Sequence, residues 1–153
     1  MPRFDGARSH LPDKTLQKLH RSPTLLYDGE CGVCNAFVSF ILKREKDHRL
    51  RFASLYSAIG KQLLATNDVA PDIESAVLIE SDVVYIYSDA VLRTLTYLRG
   101  PWSLLGTALR AVPRPIRDAG YRTFAATRTR LSRSNYCRVV RPNEANRFLD
   151  LPD

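Results

Sequence analysis

Two cysteines separated by two residues, Cys31 and Cys34, stand between a short apolar run and a longer helical pattern. This placement constrains the fold more than any other feature of the chain. The run Thr24–Asp28 (TLLYD) predicts a short buried strand, and Gly29 ends it. Residues 32–46 (GVCNAFVSFILKREK) predict a helix, so the cysteine pair lies at a strand-to-helix turn.

The apolar side chains of this predicted helix indicate burial on more than one side. The main stripe follows helical spacing and consists of Val33, Phe37, Phe40 and Ile41. Three further apolar residues widen it, namely Ala36, Val38 and Leu42.

Turn-forming residues separate the next part of the chain into further predicted strands and helices. They are a strand at residues 50–55, a short helix at 56–65, two strands at 76–80 and 83–87 joined by Ser81-Asp82, and a helix ending before Gly100-Pro101. Ser88 is predicted to cap this last helix. The order is β-α-β-α-β-β-α, a parallel half followed by an antiparallel half. We therefore predict an α/β, thioredoxin-like fold with a mixed sheet and additional C-terminal helices.

Charge is distributed unevenly along the 153 residues, whose net charge is +7. Residues 101–141 contain nine arginines and one acidic residue, Asp118. We expect a loosely ordered arm at residues 1–22 and a thioredoxin-like core at 23–100. Residues 101–153 are expected to form an Arg-rich helical extension of the same domain, whose helices are broken at Pro113 and Pro115. A basic segment favours an acidic partner, and no nucleic-acid motif is recognisable in it.

The cysteine count and the N-terminus bear on the cellular compartment. Three cysteines are too few for a secreted disulfide scaffold, and no apolar run predicts a signal peptide or a spanning helix. A cytoplasmic protein is expected. In such a protein a close cysteine pair is more often catalytic or metal-binding than structural.

The chemistry predicted for the pair is thiol–disulfide exchange. Cys31 lies at the helix N-terminus, where the unpaired backbone N–H groups favour a thiolate, and it is expected to be the more exposed thiol and the nucleophile. Cys34, one turn later, is expected to resolve the mixed disulfide. Gly29 and Gly32 suit a tight turn, whereas Asp28 either opposes the thiolate or accepts the Cys34 proton.

These residues resemble the DCC family of thiol-disulfide oxidoreductases, named for its D-x-x-C-x-x-C signature. The matching positions are Asp28, Gly29, Cys31, Cys34 and Asn35, then Ser88 and Ala90 in an S-x-A helix start, a late Cys137, and Arg147-Phe148-Leu149. The resemblance implies a thioredoxin-like fold and a dithiol active site. It departs from thioredoxin at Glu74-Ser75, where thioredoxins have a cis-proline and the nearest proline here is Pro71.

Other functions stay open at this point. A zinc site would need four ligands, and Cys31, Cys34, Cys137 with His20 or His48 could supply them, although His10, His20 and His48 are expected to be exposed. The cysteines could also be structural in a basic interaction module. The apolar residues Trp102, Leu104, Leu105 and Leu109 fit a membrane-surface helix, but core packing is favoured. For the oxidoreductase we expect a disulfide-containing protein or a small thiol as substrate, an unidentified electron donor and no bound cofactor.

Overall fold

A computed structural model describes residues 22–131 and 141–150 of the chain. The strands are β1 (Thr24–Tyr27), β2 (Arg51–Ser54), β3 (Val77–Glu80) and β4 (Val83–Ile86). The helices are α1 (Gly32–Arg44), α2 (Ala58–Thr66), α3 (Tyr87–Leu95), α4 (Pro101–Leu109) and α5 (Arg114–Leu131), and a 3-10 turn covers Ala145–Arg147. Most of the predicted N-terminal arm, with His10 and His20, lies outside the described residues, as does Cys137.

The four strands form one mixed sheet in the order β2-β1-β3-β4. Strand β1 pairs with β2 in parallel and with β3 antiparallel, and β3 pairs antiparallel with β4. Helix α1 makes the crossover that two parallel neighbours require, and the two residues Ser81 and Asp82 connect β3 to β4. The prediction of an α/β, thioredoxin-like fold is confirmed.

Burial on both faces of the sheet explains why β1 is apolar without interruption. On one face, Leu25 packs with Phe52 and with side chains of α1 and α3. On the other face, Leu26 packs with Ala53 and with α2. Both leucines are fully buried, and a leucine removed from water in this way contributes roughly 1.5–3 kcal/mol.

The buried face of α1 differs from the predicted stripe. The helix buries Asn35, Val38, Ile41 and Leu42, whereas Ala36 is exposed and Val33, Phe37 and Phe40 are half-buried. The difference arises because a polar residue lies on the buried face and because Phe40 packs at its margin, edge-on to the Trp102 ring at 4.9 Å. A stripe counted from apolar residues alone does not include Asn35 and is therefore centred wrongly.

Helix α3 begins before the predicted cap. Its N-cap is Ile86, and Ser88 lies inside the first turn, where its hydroxyl donates to Asp118 at 2.5 Å. Tyr87 has a φ of +53°, which is rare for a bulky side chain. Ser75 Oγ accepts the Tyr87 amide at 2.8 Å and so supports this conformation. The prediction of Ser88 as the N-cap is wrong because a tertiary contact engages its hydroxyl.

The Arg-rich segment also departs from expectation. Pro115 does not break a helix, because it lies in the first turn of α5, where no N–H is needed from it. Trp102 packs against the core, but Leu104, Leu105 and Leu109 are exposed, so the prediction of core packing is wrong for these leucines. Among the residues described here, no helix is long and apolar enough to cross a bilayer.

The end of the described chain packs along the outer edge of β2. The Leu149 amide donates to the Phe52 carbonyl at 2.9 Å, and the Phe148 ring stacks on the Phe52 ring with centroids 5.3 Å apart. The buried guanidinium of Arg147 pairs with the buried carboxylate of Glu45. This C-terminal segment therefore covers an edge strand that would otherwise be open.

Candidate active site

The segment from Asp28 to Cys31 is a tight turn built by its own carboxylate. The Cys31 amide donates to the Asp28 carbonyl at 3.2 Å, and the Glu30 amide donates to Asp28 Oδ1 at 3.0 Å. A carboxylate that accepts an amide two residues ahead replaces a backbone hydrogen bond and fixes the turn. The structure thus gives Asp28 a role in shaping the turn, which neither sequence alternative included.

Asn35 ties this turn to α1 from inside the protein. Its side chain is buried, and its Nδ2 donates to the Gly29 carbonyl at 2.8 Å. Its own amide donates to the Cys31 carbonyl at 3.0 Å. Asn35 therefore holds the residues on both sides of Glu30 in place, and a buried polar side chain on α1 has a defined partner.

Gly29 allows the turn to lie against the end of β2. A Cβ atom at this position would lie 3.1 Å from Ser54 Oγ, closer than most such contacts. A side chain at this position would require Ser54 or the turn to shift by a few tenths of an ångström. The turn glycine predicted from sequence thus lets the backbone of the turn approach the Ser54 side chain closely.

The two cysteines lie directly after this turn, at the start of α1. Cys31 is the N-cap of α1 with an extended backbone, and Cys34 lies in the first turn of that helix. Both are present as thiols. Cys31 is only 4% exposed, whereas Cys34 is half-buried against the core.

The expectation that Cys31 is the more exposed thiol is therefore wrong. The physical reason is the turn: it leaves Glu30 exposed on the outside and places Cys31 inside. Exposure at a helix start depends on how the preceding turn packs, and that packing involves Ser54, far away in the sequence.

The segment before β3 borders the end of β1, which leads into the dithiol turn. The register pairs Leu26 with Val77, so Ala76 is the next residue beside Tyr27. Ser75 Oγ donates to the Ala76 carbonyl at 2.9 Å. No cis peptide bond occurs in the described parts of the chain. Ser75 therefore occupies the place where the sequence comparison with thioredoxin expects a cis-proline.

Helix α5 is fastened to the start of α3 by residues that sequence reasoning missed. Asp89 Oδ2 accepts from Arg114 Nε at 2.7 Å, and Asp89 Oδ1 accepts from Arg117 Nη1 at 2.6 Å. Burial by itself would raise the pKa of Asp89, but the two arginines outweigh it and hold that pKa below its ordinary value. The Tyr121 hydroxyl accepts the Ala76 amide at 3.3 Å.

This fastening changes the interpretation of the basic segment. Two of its arginines pair with a buried carboxylate of the same chain, so part of its positive charge serves the fold and not an external acidic partner. The available sequence signal was Asp89 itself, a carboxylate next to Ser88 at the start of a helix whose other buried positions are mostly apolar.

The metal alternative receives no support within the described residues. No group of three or more His, Cys, Asp and Glu side chains is arranged there to hold an ion. His48 is exposed, and its Nδ1 lies 3.4 Å from Arg147 Nη1, a partner that the sequence did not indicate. The other two proposed ligands, Cys137 and His20, lie outside the described residues.

Comparisons with known proteins converge on one family. A family model described as DCC1-like thiol-disulfide oxidoreductase matches residues 25–134. The chain is 39% identical over 127 residues to the uncharacterized protein YuxK of Bacillus subtilis, covering 82% of this chain and 92% of YuxK. It is 37% identical over 121 residues to a chloroplastic DCC family protein of Arabidopsis thaliana, covering 78% of this chain and 70% of the plant protein. No solved structure matches.

Proposed function

The chain belongs to the family of DCC1-like thiol-disulfide oxidoreductases, and from this premise we propose that it catalyses thiol–disulfide exchange through Cys31 and Cys34. The observation that carries the proposal is their position, since Cys31 caps α1 and Cys34 lies in the first turn of the same helix. Cβ atoms three residues apart on a helix are about 5–6 Å apart, and a disulfide needs about 3.5–4.5 Å. A small local adjustment therefore interconverts dithiol and disulfide.

In the proposed reaction the Cys31 thiolate attacks one sulfur of a substrate disulfide, and the other substrate sulfur leaves as a thiolate. The Cys34 thiolate then attacks the Cys31 sulfur of the mixed disulfide, which releases the second substrate sulfur. The substrate gains two electrons and two protons, and the protein gains the Cys31–Cys34 disulfide. A dithiol, or two molecules of a small thiol, returns the electrons by the reverse path.

The assignment of Cys31 as nucleophile rests on the N-terminus of α1. Backbone N–H groups that have no partner within the helix point toward the N-cap and stabilise negative charge on its side chain. Because Cys31 is buried, the turn at residues 28–30 must open when a substrate docks. The exposed side chain of Glu30 at the outside of that turn gives it room to move.

The substrate class follows from the chemistry alone: a protein disulfide or a small-molecule disulfide. The electrons come from a thiol donor, and the exchange itself requires no bound cofactor. A reducing compartment such as the cytoplasm keeps such a pair in the dithiol form and suits this function.

The test uses oxidised glutathione as the substrate and mass spectrometry after alkylation of the remaining thiols. The wild-type protein should lose two alkylatable thiols together, at Cys31 and Cys34, and the peptide that contains Cys137 is followed separately. The Cys34→Ser variant should accumulate a glutathione adduct on Cys31, because no second thiol can release it.

Two outcomes would contradict parts of this proposal. If the wild-type protein keeps all three thiols at every glutathione ratio, it is not a dithiol oxidoreductase. If the adduct instead accumulates on Cys34 in the Cys31→Ser variant and not on Cys31 in the Cys34→Ser variant, exchange stands but the half-buried Cys34 is the nucleophile.

A further inference from the structure

Helix α4 is apolar and nevertheless mostly exposed. Its nine residues contain no charged side chain, and only Gly106 is buried. Leu104 is 74% exposed, Leu105 42% and Leu109 39%. Three leucines on one short helix are thus directed into solvent, which is costly unless another apolar phase covers them.

Contacts on the opposite side of α4 hold the leucines outward. A Cβ atom on Gly106 would lie 2.7 Å from the Leu92 carbonyl oxygen, so this glycine lets α4 press closely against α3. Trp102 packs edge-on against Phe40, and Ser103 Oγ donates to the Thr96 carbonyl at 3.3 Å. Because these three contacts fix one side of α4, the helix cannot rotate to bury its leucines.

Positively charged side chains flank this apolar helix. Residues 99–117 contain four arginines and no carboxylate; Arg114 and Arg117 pair with Asp89 of α3, which leaves Arg99 and Arg110 on either side of α4. Arg110, directly after the last exposed leucine, is itself exposed. Ile116 in the next helix is 65% exposed and adds a further apolar side chain.

We propose that α4 and Arg110 form a docking face for the surface of an anionic phospholipid bilayer. The docking face consists of Leu104, Leu105, Leu109 and Arg110. Its leucines would enter the interfacial region while the guanidinium group contacts phosphate headgroups. This binding goes beyond thiol–disulfide exchange and would bring the dithiol to a membrane surface.

The shape and chemistry of the docking face favour an anionic bilayer surface as its partner. A leucine that is 74% exposed projects from the surface, and a fluid lipid layer can accommodate a projecting side chain without a matching groove. Arg99 and Arg110 are exposed and take no part in the Asp89 ion pairs, so their positive charge attracts an anionic surface, where each basic residue contributes about a fivefold change in binding.

The experiment is co-sedimentation of the full-length protein with vesicles of phosphatidylcholine alone or mixed with phosphatidylglycerol. Binding is expected to the anionic vesicles and to fall as salt is raised. Leu104→Ser should weaken that binding roughly three- to tenfold because an inserted apolar side chain is lost. Arg110→Glu should weaken it by about tenfold or more, because one attractive charge is replaced by a repulsive one.

Matched controls separate the docking face from general effects. Val83→Ser removes an exposed apolar side chain from β4, and Lys61→Glu reverses an exposed charge on α2. Both should bind anionic vesicles as the wild-type protein does. The Cys31→Ser/Cys34→Ser variant should also bind normally, so a failure of the oxidoreductase proposal is distinguishable from a failure of this one.

Three results would overturn the proposal. The first is equal binding of all variants, and the second is absence of binding to the anionic vesicles. The third is a lipid-free dimer, detected by analytical ultracentrifugation, that Leu104→Ser dissociates. That last result would make the same face an interface between two copies of the chain.

Discussion

At the scale of single residues, Asn35 links the turn before the cysteine pair to helix α1. Its side chain donates to the Gly29 carbonyl, and its backbone N–H donates to the Cys31 carbonyl as in any α-helix, so the contact specific to Asn35 is the one to Gly29. The family motif marked this position in the sequence. Its direction into the protein was not predictable, because a polar residue on a helix is ordinarily assigned to the solvent side.

Asn35→Ala is expected to move the redox midpoint of the pair to more reducing values. The hydrogen bond to Gly29 belongs to the dithiol form described here, and losing it destabilises that form relative to the disulfide. A loss of about 1.4 kcal/mol confined to one form corresponds to about 30 mV. The measurement is a glutathione redox titration with alkylation of thiols.

Asn67→Ala is the matched control for this prediction. Asn67 Nδ2 also donates to a backbone carbonyl, that of Leu63, at 2.8 Å, but it does so at the end of α2. Both variants should unfold about 1 kcal/mol more easily, and only Asn35→Ala should shift the midpoint. An equal midpoint in both variants would mean that Asn35 is purely structural.

At the scale of secondary-structure elements, the connection between α3 and α5 is the feature least visible in the sequence. The strands and the helices of the core were predictable because apolar periodicity and turn residues mark them locally. The pairing of Asp89 with Arg114 and Arg117 joins positions 25 and 28 residues apart. Local periodicity contains no information about such a pair, and a basic segment favours an acidic partner without indicating which carboxylate it meets.

The pH dependence of stability should report this connection. The pKa of Asp89 is lowered in the folded protein, so the ionised carboxylate stabilises the fold above the unfolded-state pKa of about 3.9. That contribution is lost as the pH falls through the lower, folded-state pKa. Asp89→Asn should cost about 2 kcal/mol near neutral pH and remove this part of the acid sensitivity.

Urea unfolding at a series of pH values measures this effect. Asp72→Asn, at an exposed carboxylate in the loop before β3, is the control and should follow the wild-type curve. If Asp89→Asn loses the same stability at pH 3 as at pH 7, the ion pairs with α5 do not contribute through charge.

At the scale of the whole molecule, the C-terminal segment closes the structure over β2. In the sequence, Arg147-Phe148-Leu149 is marked only by the resemblance to the family. Arg147 is buried, lies over the Phe52 ring, and donates from Nε to the Leu50 carbonyl at 3.2 Å. Its ion pair with Glu45 spans 102 residues, so the sequence could predict a core but not the segment that fastens it.

Arg147→Met should destabilise the protein by about 3–5 kcal/mol, because it leaves the buried Glu45 carboxylate without its counter-charge. Arg147→Met combined with Glu45→Leu removes both charges and should recover much of that loss, since apolar replacements of a buried ion pair are often neutral. Recovery stays incomplete because the Leu50 amide and carbonyl each lose a partner. Guanidinium unfolding of the single and double variants measures the difference. Equal destabilisation of both would show that Arg147 acts through packing on Phe52 and through Leu50, not through its charge.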